Sequence, residues 1–141
     1  MEVYLDTSVI VPLFVADAHV ERARRFLLSS EPECLVSDYA IAEFTAVIGR
    51  KVRAGDLMVA EADSVLVDLR AWAGTAARLV TVEAADLRIA TALLSNFALG
   101  LRAPDALHIA IARRCGGTLA TFDVKMAVSA RALGVELAVT D

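Results

Sequence analysis

Short apolar runs alternate along this chain with longer stretches whose apolar positions recur at helical spacing. Val3-Tyr4-Leu5 is a β-prone run that ends on Asp6-Thr7-Ser8, residue types that begin helices. A helical segment interrupted by Pro12 follows, and over 19–28 the residues Val20, Ala23, Phe26 and Leu27 share one side of a helix. Glu31-Pro32-Glu33 reads as a loop and 34–36 as a second strand. Ser37 or Asp38 caps a helix that runs to about Arg53 and stops at Gly55, and a further amphipathic helix spans 59–72. A third strand over 78–82 and a helix over 84–97 come next. Gly100 and Pro104 bracket a turn into a helix over 105–114, which Gly116-Gly117 ends. A fourth strand over 118–122, a helix over 124–133 stopped by Gly134, and a last strand over 135–139 complete the pattern.

Strands that alternate with helices predict an α/β domain of three layers, with a central, mainly parallel sheet of four to five strands flanked by helices. At 141 residues the chain is expected to form a single domain, 1–141, without repeat or linker. A chain of this size buries roughly two-thirds of its unfolded surface and needs no disulfide staples. Cys34 and Cys115 lie far apart with no nearby His or Cys partner, so they read as small core residues in a reducing compartment.

Hydrophobic residues make up 57% of the chain, yet the longest apolar stretch, 9–16, contains Pro12 and falls well short of the ~18 residues a membrane helix needs. The opening carries no basic segment followed by an apolar stretch, so no signal peptide is expected and the cytoplasm is the expected location. The apolar surplus points to a covered surface, expected as a groove built from Val11, Phe14, Val15 and the helix over 38–53. A formal net charge of −4 weighs, by itself, against a nucleic-acid ligand.

Most of the 18 acidic residues fall in loops or on polar helix faces, where solvation accounts for them. Asp86 sits in the first turn of a helix and reads as a dipole partner. Four others stand apart. Asp6 directly follows the first strand and Asp123 the fourth, and parallel strands end at the same edge, where α/β sheets bind ligands. Taken alone, each reads rather as a helix cap. Glu43 lies on the stripe of Ala40, Phe44, Val47 and Ile48, so its carboxylate points inward, toward a Lys or Arg partner or a site. Asp105 opens a helix behind Pro104 and shares a face with His108, Ile109 and Ala112; an ordinary first-turn Asp looks the same.

If these four converge, charge dictates what accompanies them. Two carboxylates ~4 Å apart repel by about 4 kcal/mol at an effective dielectric of 20. An all-oxygen set with no His or Cys at ligand spacing selects Mg²⁺ or Mn²⁺ over zinc, and an open carboxylate site with such an ion suits phosphoryl chemistry.

Tyr4-Leu5-Asp6-Thr7-Ser8, Ala42-Glu43-Phe44, Arg102-Ala103-Pro104-Asp105-Ala106-Leu107-His108 and Thr121-Phe122-Asp123 together resemble the PIN domain, and more narrowly the VapC-type toxins of bacterial and archaeal toxin–antitoxin pairs. The resemblance covers nearly the whole chain in the right order. It implies a PIN-like fold in which Asp6, Glu43, Asp105 and Asp123 hold Mg²⁺ or Mn²⁺. Thr7 or Ser8, and Thr121, would orient those acids or the waters of the metal. The implied activity is endonucleolytic cleavage of single-stranded RNA by metal-activated water. The implied partners are a VapB-like antitoxin and a second copy of the chain.

Four acids confined to one site would account for the negative balance. Clusters at Arg22/Arg24/Arg25, Arg50/Lys51/Arg53 and Arg113/Arg114 could then meet phosphates, or simply cover solvated helix faces. His108 reads as a packed histidine rather than a ligand. A phosphatase with a nucleophilic Asp at the first strand would want a second Asp two residues on, where Ser8 stands. A phospho-accepting signalling domain would need paired acids beside Asp6, which is alone at its strand end. The remaining alternative is a catalytically silent PIN-like module that binds RNA or a partner.

Overall fold

The structure, a computed structural model, describes residues 1–139, so the last two positions of the expected 1–141 domain lie outside the described residues. Five strands form one parallel sheet: β1 (Glu2–Leu5), β2 (Glu33–Ser37), β3 (Arg78–Val80), β4 (Thr118–Ala120) and β5 (Glu136–Leu137), in the order β3-β2-β1-β4-β5. Register is fixed by pairs such as Val3 with Cys34, Leu5 with Ala120 and Leu35 with Arg78. Neighbouring residues of β1 and β2 serve opposite faces. Val3, Leu5, Cys34 and Val36 join one core, and Tyr4 and Leu35 the other. Burial on both faces is what makes these strands continuous apolar runs rather than alternating ones.

The first face is covered by α1 (Thr7–Phe14), α2 (Val20–Ser30), α3 (Asp38–Arg53) and α4 (Val59–Thr75). The second is covered by α5 (Ala84–Leu94), α6 (Ala103–Arg114) and α7 (Val124–Ala132). Helix α6 is buried almost all round, from Asp105 to Ala112, so any polar residue on it must find a partner inside the protein. The strand order turns back at β1, whose neighbours are β2 on one side and β4 on the other. That switch point opens a crevice at the carboxyl ends of β1 and β4.

Several boundaries differ from the sequence expectation. Strands β3 and β4 stop at Val80 and Ala120 because side chains take the next amides out of the ladder. The Val82 N–H donates to Asp38, the Phe122 N–H to Ser8 Oγ and the Asp123 N–H to Thr121 Oγ1. Strand β5 is likewise shorter than 135–139. Pro12 does not break α1: its missing N–H costs one bond, and the helix ends two residues later anyway. Helix α5 ends at Leu94, and Phe97–Leu99 forms a separate short 3-10 turn. Helix α6 starts at Ala103, with Pro104 inside its first turn, so Asp105 does not open it.

Asp86 does more than face a helix dipole. It is fully buried, and Arg114 of α6 donates to its two oxygens at 2.7 and 2.9 Å and to the Thr81 carbonyl at 2.9 Å. Burial pushes its carboxyl up, but the Arg114 hydrogen bonds outweigh that and hold it below the ordinary value. This ion pair pins α5 to α6, so Arg114 leaves the set of phosphate-contact candidates.

Candidate active site

Asp6 leaves β1 and caps α1. Its Oδ1 accepts the Ser8 N–H at 3.0 Å and the Ser8 hydroxyl at 2.6 Å, and its Oδ2 accepts the Thr121 hydroxyl at 2.9 Å. The side chain is 2% exposed, and burial raises its carboxyl above the ordinary value despite opposing help from His108, Ser8 and Thr121. An anion in that position lacks a full counter-charge. Asp123 caps α7 by accepting the Met126 N–H at 2.9 Å, and Thr121 joins it to Asp6 by accepting its backbone N–H. The cap readings of Asp6 and Asp123 are therefore correct, and both carboxylates still lie at the strand-end crevice.

Glu43, half-buried on α3, reaches its partners through Oε1, which accepts the Thr7 hydroxyl at 2.8 Å and pairs with His108 Nε2. Its inward direction is answered by a histidine rather than by Lys or Arg. Burial pushes this carboxyl up, but the bonds from His108, Thr7 and Tyr39 bring it below its usual value. Asp105 is buried at the start of α6, three residues before His108. Arg102 Nε lies 3.3 Å from its Oδ2, and Arg102 Nη2 lies 3.9 Å from Oδ2 of Asp123. One guanidinium thus spans two of the four acids.

The four acids, from four elements, form one linked network: Glu43 through Thr7 beside Asp6, Asp6 through Thr121 to Asp123, and Asp123 through Arg102 to Asp105. A cleft of about 410 Å³ opens beside it, lined by Thr7, Ser8, Val11, Glu43, Val47 and Arg50 among others. The cleft draws on Val11 and on α3, as the expected groove did, but not on Phe14 or Val15. Phe14 stacks edge-on against Phe44 and Trp72, and Phe14 and Val15 pack on the core instead.

A model of the PIN domain matches residues 3–132. Ribonuclease VapC46 of Mycobacterium tuberculosis is 33% identical over 140 residues, covering 94% of this chain and 93% of its own. The chain is a VapC-like member of the PIN-domain family. Solved structures share the fold. VapC20 of Mycobacterium tuberculosis, described as a sarcin–ricin-loop-cleaving toxin, superposes with a TM-score of 0.73 at 22% identity, over 91% of this chain and 95% of that one. VapBC2 of Rickettsia felis, bound to a fragment of its promoter DNA, gives 0.68 at 15% identity, over 97% of both chains.

The donor chemistry of this VapC-like site fits a hard divalent cation. Every candidate ligand is a carboxylate oxygen, and His108 spends both ring nitrogens on Glu43 and on Tyr4. The charge fits as well, since buried Asp6 is poorly compensated. As the side chains stand, no three His, Cys, Asp or Glu groups among the described residues are close enough to share one ion. Arg102 stands between Asp105 and Asp123, while Thr121 links Asp6 to the Asp123 backbone. Arg102 and the Tyr4–His108 pair were missed in the sequence. Arg102 had a readable signal, a cation three residues before an acid at a helix start; the Tyr4–His108 contact spans 104 positions and left none.

Proposed function

We propose that the chain is a Mg²⁺- or Mn²⁺-dependent endoribonuclease, the toxin of a toxin–antitoxin pair, that cleaves single-stranded RNA. The observation that carries this reading is the tie between two strand-end acids, Asp6 and Asp123, through one threonine at the switch point, with Glu43 and Asp105 joined to them. Asp6, Glu43, Asp105 and Asp123 would hold the ion. Bound there, it supplies Lewis-acid activation of water and neutralises charge on the phosphoryl oxygens. Thr121 and Ser8 orient Asp6, Thr7 orients Glu43, and Thr121 also seats Asp123.

Cations near the acids answer the objection from net charge. Arg102 stands between two of them, Arg50 lines the cleft with Glu43, and the Arg22 guanidinium lies 4.5 Å over the Phe122 ring beside Asp123. These cations suit phosphate backbone contacts, which position a strand without reading its sequence.

An antitoxin would bind at the same place. The cleft beside Val11 and Val47 suits one apolar helix edge of a VapB-like antitoxin. Arg102 already displays the contact that an antitoxin arginine would make: a guanidinium between carboxylates that otherwise repel. A second copy of the chain is the other expected partner.

Refolded, antitoxin-free protein is expected to cleave total cellular RNA with Mg²⁺ or Mn²⁺ and to stop on chelation. It should sediment at about twice the 15.0 kDa chain mass. Adding back the small protein encoded beside the gene should silence cleavage, and less so once that protein's arginines are replaced. Cleavage that survives excess chelator would contradict the metal mechanism. Binding of RNA without any cleavage would favour the silent PIN-like module instead.

A further inference from the structure

A chain of buried polar groups runs away from the acid site behind Glu43. His108 Nε2 bonds to Oε1 of Glu43, Nδ1 meets the Tyr4 hydroxyl at 2.7 Å, and that hydroxyl meets Ser37 Oγ at 2.8 Å. Ser37 Oγ accepts the Ala40 N–H at 2.9 Å and so caps α3, the helix that carries Glu43. Tyr4, Ser37 and His108 are all at least 98% buried. The line therefore starts on α3, crosses α6 and β1, and returns through Ser37 to the start of α3.

Donor counting gives this chain a direction. A carboxylate only accepts, so Nε2 carries the hydrogen toward Glu43. In the neutral ring Nδ1 is then an acceptor, so the Tyr4 hydroxyl donates to Nδ1 and its oxygen accepts from the Ser37 hydroxyl, whose oxygen accepts the Ala40 amide. Interrupting this line strands a buried donor or acceptor, which makes each link costly to remove.

We infer that Tyr4 and His108 are positioning residues that fix the Glu43 carboxylate by its Oε1 from inside the core, so that it presents one orientation to an incoming divalent cation. This rests on the reading of Glu43 as a ligand. Thr7 grips the same oxygen from the site side, so the two contacts hold the carboxylate between core and crevice. Partners behind a metal-ligating group typically change affinity by about 10–100-fold when removed.

The test is Mn²⁺ binding by titration calorimetry on the full chain, with the fold of each variant checked by circular dichroism. His108→Ala is expected to weaken Mn²⁺ binding by about 10–100-fold. His108→Gln, whose amide N–H can stand in for Nε2–H, should recover much of that loss. Tyr4→Phe keeps the packing, removes the bond that orients the ring, and should weaken binding several-fold. Nitrogen-15 spectra should show His108 in the Nε2–H form in wild type and in mixed forms in Tyr4→Phe. If His108→Ala does not fold, Tyr4→Phe and His108→Gln carry the comparison. Tyr4→Phe and the His108 variants within twofold of wild type, alongside a Glu43→Gln variant that binds poorly, would overturn the positioning role and leave the acid site standing. Glu43→Gln binding Mn²⁺ as wild type does would remove the acid-site reading, and the positioning role with it.

Discussion

Asp6→Asn is expected to lower RNA cleavage by at least about 100-fold, the several kcal/mol that a metal ligand at the reacting phosphate can carry, while making the metal-free protein more stable at neutral pH. The two effects have opposite signs for one reason. Burial raises the Asp6 carboxyl, so the folded chain binds that proton more tightly than the unfolded chain does. Stability from this group is therefore lost as pH rises from the ordinary carboxylate value of 3.8 through the raised one, and at neutral pH the ionised Asp6 is a burden. Asparagine carries no such burden and can still accept the Ser8 bonds. Urea unfolding in chelator from pH 4 to 8 should show wild type losing stability relative to Asp6→Asn as pH rises. Added Mg²⁺ should then stabilise wild type by mass action and leave the variant nearly unmoved. Parallel pH curves, or equal metal-induced shifts, would contradict this description of Asp6.

Asp86→Ala is expected to destabilise the chain by about 3–5 kcal/mol, because it leaves the Arg114 guanidinium without the buried partner that accepts its hydrogen bonds. That is a large part of the ~5–15 kcal/mol available to a domain of this kind. Replacing both residues, Asp86→Leu with Arg114→Met, should cost less than the sum of the single changes, since no charge is then stranded. The measurement is the denaturation midpoint, at constant slope, of Asp86→Ala, Asp86→Leu, Arg114→Met and the double variant. A loss below about 1 kcal/mol for Asp86→Ala would mean that Arg114 finds equivalent partners in Glu83 and the Thr81 carbonyl.

The layer order and parallel sheet were readable because each strand is a short apolar run and each helix has caps or stops made of recognisable residues: Ser37, Gly55, Pro104, Gly134. The strand ends were not readable. Phe122 and Val82 look like strand residues, and only tertiary contacts with Ser8 and Asp38 divert their amides. The inward aim of Glu43 followed from the Ala40, Phe44 and Ile48 stripe, but the identity of its partner did not. A buried histidine one turn after Asp105 looks the same in sequence whether it packs against leucines or bonds a carboxylate from another helix. The apolar surplus pointed to a groove at Val11 and the helix over 38–53, where a cleft opens, but not to Phe14 packing between Phe44 and Trp72 instead of lining it.

Arg102 spans two of the four acids at this crevice. Its side chain is 73% exposed, so its contacts with Asp105 and Asp123 are weakly held and easily exchanged for a stronger cation. A divalent ion would take over from it, and Thr7, Ser8 and Thr121 would keep the acids oriented while that happens.

The position of a bound metal decides whether these four acids form the reaction centre. Crystals soaked in Mn²⁺ and measured at the manganese absorption edge should give an anomalous peak at the crevice between β1 and β4, about 2.0–2.3 Å from carboxylate oxygens of Asp6 and at least one of Glu43, Asp105 and Asp123. Arg102 should be turned away from the acids it spans. A peak elsewhere on the surface, or none at this crevice at saturating Mn²⁺, would contradict the assignment of Asp6, Glu43, Asp105 and Asp123 as its ligands.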